Sequence, residues 1–284
     1  MNSPSVNLSE LLVWYADAGV DAPMLDQPVD RFAEFAASKK NAVSEKSVVA
    51  NRTVTPVHEP VSTVNADTKR TIPNGDAIDA AINCAAKADT LEGLREAMLG
   101  FEGCNLKFSA RSTVFSDGNP EARVMIVGEG PDGEEDATGK PFLGTSGQLL
   151  DKMLAAIGLD RTSVYLSSIV PWRPPGNRKP TPPETAICLP FIKRHIELVQ
   201  PEILLLVGNT PSQALLSTTE NITRLRGKWQ QVIIDETTLP AMPCFHPAYL
   251  LRQPAQKKFA WRDLLALSKK LDETADEPTN TNKT

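Results

Sequence analysis

Val124-Met125-Ile126-Val127, then Gly128-Glu129-Gly130-Pro131-Asp132, then Lys140-Pro141-Phe142-Leu143-Gly144-Thr145-Ser146-Gly147-Gln148-Leu149-Leu150 is the stretch from which the fold is read. The apolar run ending in glycine predicts a short buried strand, and the glycine loop behind it lets backbone come close to a ligand. Glu129 offers that ligand a carboxylate and Phe142 an aromatic face. Thr145 followed three residues later by Gln148 has the form of a capping box, so a helix is expected to open there with free N–H groups suited to a phosphate. Taken alone, the segment fits two readings equally: half of a ligand site, or an ordinary strand-loop-helix connection.

The rest of the chain bounds what such a site belongs to. Its 284 residues, 41% of them hydrophobic, suffice for one large domain or a domain with appendages. No apolar run approaches the roughly 18 residues of a membrane-spanning helix, and the amino terminus lacks a signal-peptide pattern. A soluble, cytoplasmic protein is therefore expected. The net charge of −5 argues against a generally basic nucleic-acid binder. Residues 161–178, 224–228 and 252–262 are nonetheless locally basic, which fits either a solvated surface or phosphate contacts. Cys84, Cys104, Cys188 and Cys244 are too few and scattered for a disulfide framework and include no Cys-x-x-Cys pair. Buried, reduced thiols are expected.

Composition divides the chain into a short amphipathic helix at 1–20, a flexible linker at 21–74, a domain at 75–272 whose core begins near 101, and a disordered tail at 273–284. The first helix is either a docking element or a piece that folds back on the domain. Helices are expected at 76–87 and at 91–99, the second opened by Asp89. Short apolar runs follow at 123–127, 164–169, 203–207 and 232–234, with another ending at Phe245. Helical patterns lie between and after them at 147–157, 184–199, 211–216 and 258–271. This alternation predicts an α/β fold with a largely parallel sheet.

In such sheets ligands bind beyond the carboxyl ends of the strands. Gly128-Glu129-Gly130-Pro131 follows the first run, the segment from Ser168 through Trp172-Arg173-Pro174-Pro175-Gly176-Asn177-Arg178 the second, Gly208-Asn209 the third, and His246-Pro247-Ala248-Tyr249-Leu250-Leu251-Arg252 the last. Together they supply an aromatic plate, a carboxylate, an imidazole and arginines at 173, 178, 226 and 252. A planar heterocycle on a phosphate chain suits that inventory.

These motifs, in this order, resemble the uracil-DNA glycosylase superfamily, closest to the family-4 type. The matching segments are Gly128-Glu129-x-Pro131, Gly139-x-Pro141-Phe142-x-Gly144-x-x-Gly147-x-Leu149-Leu150, Val164-Tyr165, Arg173 to Arg178, Arg226-Gly227-x-Trp229 and His246 to Arg252. The likeness spans roughly residues 101–271. It implies a three-layer α/β/α sandwich around a short, mostly parallel four-stranded sheet, and hydrolysis of the N-glycosidic bond to a deaminated base flipped out of single- or double-stranded DNA by a monomer. It further implies Glu129 and His246 as catalytic residues, with Gly128, Gly130, Phe142 and Ser168 around the base. Gly144, Thr145, Ser146, Gly147, Arg173, Arg178, Leu250, Leu251 and Arg252 would contact DNA. For the Leu250-Leu251-Arg252 run the alternative is the hydrophobic start of a helix.

The chain departs from the pattern in three places. Ser168 stands where the family carries an asparagine that reads uracil, and one hydroxyl discriminates less than a bidentate amide. Gly130 and Asp132 replace alanine and glycine. The first change is innocuous, while the added carboxylate either repels phosphate by pointing inward or faces solvent without effect. Family-4 members hold a four-iron cluster on four cysteines; here Cys104 and Cys188 match two ligands while Phe101 and Trp172 occupy the other two. No cofactor is expected, and the two aromatics are expected to fill the cluster's space. The competing functional readings are a catalytically weak DNA-binding module that retains the base pocket, favoured by Ser168 and Asp132, and a nucleotide-binding α/β domain of other function.

Overall fold

The computed structural model describes residues 74–276. The expected amino-terminal helix and linker at 1–20 and 21–74 lie outside that range, apart from Asn74. In chain order the elements are α1 (Asn74–Ala86), α2 (Leu91–Gly100), α3 (Leu106–Ser109), β1 (Asp117–Gly118), β2 (Val124–Gly128), α4 (Gly133–Thr138), α5 (Gly144–Ala155), β3 (Val164–Ser168), α6 (Pro182–Val199), β4 (Ile203–Val207), α7 (Asn209–Leu215), α8 (Ile222–Leu225), β5 (Gln230–Ile234), β6 (Thr237–Cys244), α9 (Pro247–Arg252) and α10 (Lys257–Asp276).

The strands form one sheet in the order β1-β3-β2-β4-β6-β5. Its inner four, β3-β2-β4-β6, are parallel, while β1 and β5 pair antiparallel at the two edges. The expectation of four strands is thus corrected to a mixed sheet of six. The parallel centre matches the sequence because β2 and β4 are buried at every position and read as unbroken apolar runs. Of the two edges only β1, two residues long, has no counterpart among the expected runs; the run at 232–234 lies in β5 and the one ending at Phe245 falls on β6, and the two strands pair as an antiparallel hairpin.

Side chains alternate between two hydrophobic layers. Met125, Val127, Tyr165, Leu204 and Leu206 pack with residues of α1, α2 and α6, including Ala81, Leu94 and Phe191. Val124, Ile126, Leu166, Leu205 and Val207 pack against α5, α9 and α10 through Leu150, Leu154, Leu250 and Leu264. This is the expected three-layer arrangement. A buried polar cluster sits on the α6 side: the Tyr165 hydroxyl meets His195 Nε2 at 2.8 Å, and Ser167 Oγ donates to the Phe115 carbonyl at 2.8 Å. Burial pushes the His195 imidazole down to about 3 and the Tyr165 phenol up to about 12.

Several local expectations are corrected. Helix α2 is capped by Thr90, whose hydroxyl accepts from Gly93 N–H, and not by Asp89. Helix α10 runs to Asp276, four residues into the stretch expected to be a disordered tail. Helix α5 begins at Gly144 with Leu143 at its cap and no side-chain cap bond, so Thr145 and Gln148 form no capping box. The backbone wins there over the local signal. Phe142 is in the left-handed region at φ 56°, and the turn it makes starts the helix one residue before Thr145.

Candidate active site

The strand order reverses at β2, with β3 on one side and β4 on the other, which makes the carboxyl end of β2 the switch-point crevice of an open α/β sheet. Hydrogen bonding zips the neighbouring loops beyond the strands: Ile169 N–H donates to the Gly128 carbonyl at 2.9 Å and Val170 N–H to the Glu129 carbonyl at 3.1 Å. Gly128 and Ser168 are thereby held side by side, with Glu129 one residue further along the same wall. Across the crevice Thr210, at the start of α7, donates its hydroxyl to Glu129 Oε2 at 2.7 Å. That bond fixes one carboxylate oxygen. Thr210 was missed in the sequence, where the loop after β4 was read only as far as Gly208-Asn209.

His246 follows β6 and caps α9, its Nδ1 accepting from Ala248 N–H at 3.2 Å. With Nδ1 an acceptor, the neutral ring carries its proton on Nε2. Burial pushes the imidazole below its ordinary value, opposed by the nearby Glu129 charge. Gly208, at φ 110°, packs its bare α-carbon against the His246 ring, a conformation that favours glycine.

Phe142 is 3% exposed, its ring 6.2 Å between centroids from that of His246 with 23° between the planes. Gly128 lies beneath it, and a β-carbon there would fall 2.6 Å from the Phe142 ring and 3.2 Å from Ser168 Oγ. Gly128 and Ser168 therefore lie against the Phe142 ring, His246 stands beside that ring, and Glu129 follows Gly128 in the chain. Gly130 is less constrained, since a β-carbon would meet Val170 at an ordinary 3.5 Å.

Two groups hold the Phe142 turn, the partly exposed Arg161 and the buried Glu135, and neither was singled out from sequence. The Arg161 guanidinium donates to the Phe142 carbonyl while bonding Asp151 and Asp117 at 2.8 Å each. Glu135 accepts from Asp132 N–H at 2.7 Å and from Leu143 N–H at 3.2 Å, tying the loop after β2 to the start of α5. Burial pushes its carboxyl up to about 7. Gly147 completes the joint, because a β-carbon there would overlap the Phe142 carbonyl oxygen at 1.9 Å. Close approach of backbone, not flexibility, requires glycine at 147.

Asp132 takes neither orientation foreseen for it. Its carboxylate caps α4, accepting from Glu134 N–H at 2.9 Å and Glu135 N–H at 3.1 Å in a reciprocal capping box with Glu135. The charge is directed at a helix amino terminus.

The expected DNA-contacting residues divide. Gly144, Thr145 and Ser146 form the first turn of α5, and Leu251 and Arg252 are exposed at the end of α9. Leu250 is 1% exposed and packs with Leu264, so it is core and unable to enter a base stack without unfolding α9. Arg178 is bonded to both oxygens of Glu184 at 2.8 and 2.6 Å, and Arg173 donates to Asn177 Oδ1 at 2.7 Å. Arg226, counted among the rim arginines, is instead a strut: it pairs with buried Asp263 and donates to the Phe259 carbonyl at 2.9 Å.

Phe101 and Trp172 are buried with Cys104 and Cys188 in the α6-side core. The Phe101 ring stacks on Trp172 at 6.4 Å and meets Phe191 edge-on at 5.0 Å, and Trp172 Nε1 donates to Thr113 Oγ1 at 3.0 Å. Two thiols beside two aromatic rings supply too few iron-ligating atoms for a four-iron cluster, so these residues do not fit that group. Among the described residues no three His, Cys, Asp or Glu side chains gather where they could hold a metal ion, and no helix is long and apolar enough to cross a membrane.

Against known proteins, the family model described as the uracil DNA glycosylase superfamily matches residues 115–265. The chain is 33% identical over 195 residues to a type-4 uracil-DNA glycosylase of Sulfurisphaera tokodaii, covering 67% of this chain and 87% of that protein. It is 35% identical over 167 residues to the type-4 uracil-DNA glycosylase of Thermotoga maritima, covering 58% and 85%. For the type-4 uracil-DNA glycosylase of Archaeoglobus fulgidus the figures are 32% over 170 residues, covering 58% and 85%.

Proposed function

We propose, from the premise that this chain belongs to the uracil-DNA glycosylase superfamily, that it excises a deaminated base, uracil or a close relative, from DNA by hydrolysing the bond between the sugar and the base. The observation that carries this reading is the convergence of Glu129, Phe142, Ser168 and His246 at the carboxyl ends of the parallel strands. Flipping a nucleotide out of the stack costs a few kcal/mol, least for a mispaired or single-stranded base, and the aromatic wall of Phe142 offsets part of that cost.

Breaking the C1′–N bond leaves positive charge on the sugar and the electron pair on the base. Catalysis is therefore a matter of stabilising two separating charges in a dry pocket. His246 Nε2–H, free because Nδ1 is engaged by Ala248, donates to the base oxygen on which negative charge grows. Glu129, oriented by Thr210, faces the sugar cation and positions the water whose oxygen bonds to C1′. That water's proton and the anionic base balance the products, an abasic sugar and the neutral base. Ser168 offers a single hydroxyl for the base edge, so discrimination among uracil, hypoxanthine and xanthine is weaker than an amide would give.

The reading includes no iron-sulfur cluster, on the ground that Phe101 and Trp172 carry no ligand atoms. Iron analysis and visible absorption of the protein test that part: stoichiometric iron with a charge-transfer band refutes it. The activity is tested by incubating uracil-, hypoxanthine- and xanthine-containing oligonucleotides with the protein and cleaving abasic sites with alkali. Strand scission on at least one substrate, lost in Glu129→Ala and His246→Ala, is the expected result. Retained binding without scission on any substrate favours the alternative that Ser168 suggests, a binding module with a preserved base pocket.

A further inference from the structure

An apolar groove of about 200 Å³ lies between α5 and α10, with Leu250 of α9 in its lining. Leu149, Met153 and Ala156 form one wall and Ala260, Trp261 and Leu264 the other. Trp261 is 43% exposed, and Leu265, one turn further along α10, is 46% exposed. The only charged side chains in the lining are Lys152 and Lys257, one on each wall, with no carboxylate among them.

Three observations narrow the occupant. The groove shares two helices with the candidate site, since Leu250 belongs to α9, which His246 caps, and Leu149 to α5, which opens just after Phe142. Its charge is of one sign. Its volume lies below the roughly 300–1,000 Å³ of a cleft that encloses a whole ligand, and suits the face of one aromatic ring. An open indole flanked by lysines is the arrangement on which a nucleic-acid strand stacks a base while its phosphates meet cations.

We propose that this groove is a second DNA-contacting surface, in which Trp261 stacks on a base of the strand flanking the flipped nucleotide while Lys152 and Lys257 hold its phosphates. The inference rests on the proposed glycosylase function. It gives the enzyme an anchor outside the pocket, where grip on DNA does not depend on the identity of the excised base.

The test is a fluorescence-anisotropy titration across a series of salt concentrations, with a labelled DNA duplex carrying a tetrahydrofuran abasic-site analogue that cannot be turned over. Neutralising two phosphate contacts in Lys152→Gln/Lys257→Gln is expected to make the slope of log K against log salt shallower by about 1.4–1.8. Trp261→Ala is expected to weaken binding roughly five- to hundredfold. Lys269→Gln, on the same helix outside the groove, is the control and keeps the wild-type slope. Coincident slopes for the double variant and wild type overturn the proposal, as does an equal change in the control. So does a concentration-dependent dimer of wild type that Trp261→Ala abolishes in sedimentation, since a second copy would then be the occupant. Uracil excision by wild type is measured in parallel. Excision with unchanged slopes removes the groove alone, whereas neither excision nor DNA binding by wild type removes the proposed function along with it.

Discussion

Replacing Thr210 with valine keeps the side chain's shape and removes one atom that matters, the hydroxyl that donates to Glu129 Oε2 at 2.7 Å. A hydrogen bond to an ionised carboxylate contributes about 1.5–3 kcal/mol. If Glu129 must hold that orientation as the sugar cation develops, losing it raises the barrier by a similar amount, a fall of roughly ten- to hundredfold in kcat. Substrate affinity should change little, because Thr210 is proposed to act through Glu129 and not on the base. Single-turnover excision from a uracil oligonucleotide at saturating enzyme measures the chemical step directly. Thr210→Ser restores the hydroxyl and is expected to recover most of the rate. The reasoning is refuted if Thr210→Val excises at the wild-type rate, or if serine and valine are equally impaired with unchanged unfolding temperatures.

Gly147→Ala forces a methyl into the Phe142 carbonyl, which Arg161 prevents from moving away, and should destabilise the fold by at least about 1–3 kcal/mol in denaturant titration while reducing excision. Leu250→Ala should cost about 2–5 kcal/mol of stability as a core truncation, whereas Leu251→Ala should leave the unfolding temperature near wild type and weaken binding to uracil-containing duplex. His195 is buried neutral, with its folded pKa near 3 and an unfolded one near 6.5. The unfolded state therefore binds the extra proton as pH falls through that window, and stability should decline by up to about 5 kcal/mol between pH 6.5 and pH 3. His195→Phe should lack that component of the acid dependence in chemical denaturation. Phe101→Cys/Trp172→Cys, which restores four cysteines, should acquire iron and visible absorption on anaerobic reconstitution with iron and sulfide, whereas the wild-type protein should acquire neither.

The parts of the molecule that were legible in the sequence are those where one local signal meets no competitor. The run of 203–207 is β4 residue for residue, because a fully buried parallel strand has only one thing to say. Gly128, Phe142, Ser168 and His246 were named from the motif resemblance, and the fold brings them close together, while their roles belong to the proposed function. Thr145 and Gln148 failed because a cap is decided by where the backbone turns, and here the turn belongs to Phe142. Asp132 and Glu135, at the same spacing, form a capping box because the chain is extended at Asp132 and turns into α4 directly after it. Leu250 and Leu251 are adjacent and chemically identical, so only the direction each takes from α9 separates core from surface. Arg161, Thr210 and Asp263 act across 19, 81 and 37 residues of chain, at separations that no local pattern reveals.

The two amides that continue the parallel ladder beyond β3, those of Ile169 and Val170, have a consequence for motion. They make the wall carrying Glu129 and Ser168 an extension of the sheet, and sheet hydrogen bonds at the centre of a domain open only with large parts of the molecule. Hydrogen exchange at those two positions should therefore follow global unfolding, while the short helices α4 and α9 exchange through local fluctuations. Breathing that admits an extrahelical nucleotide is then confined to the helical side of the crevice, and the sheet side serves as the stationary jaw.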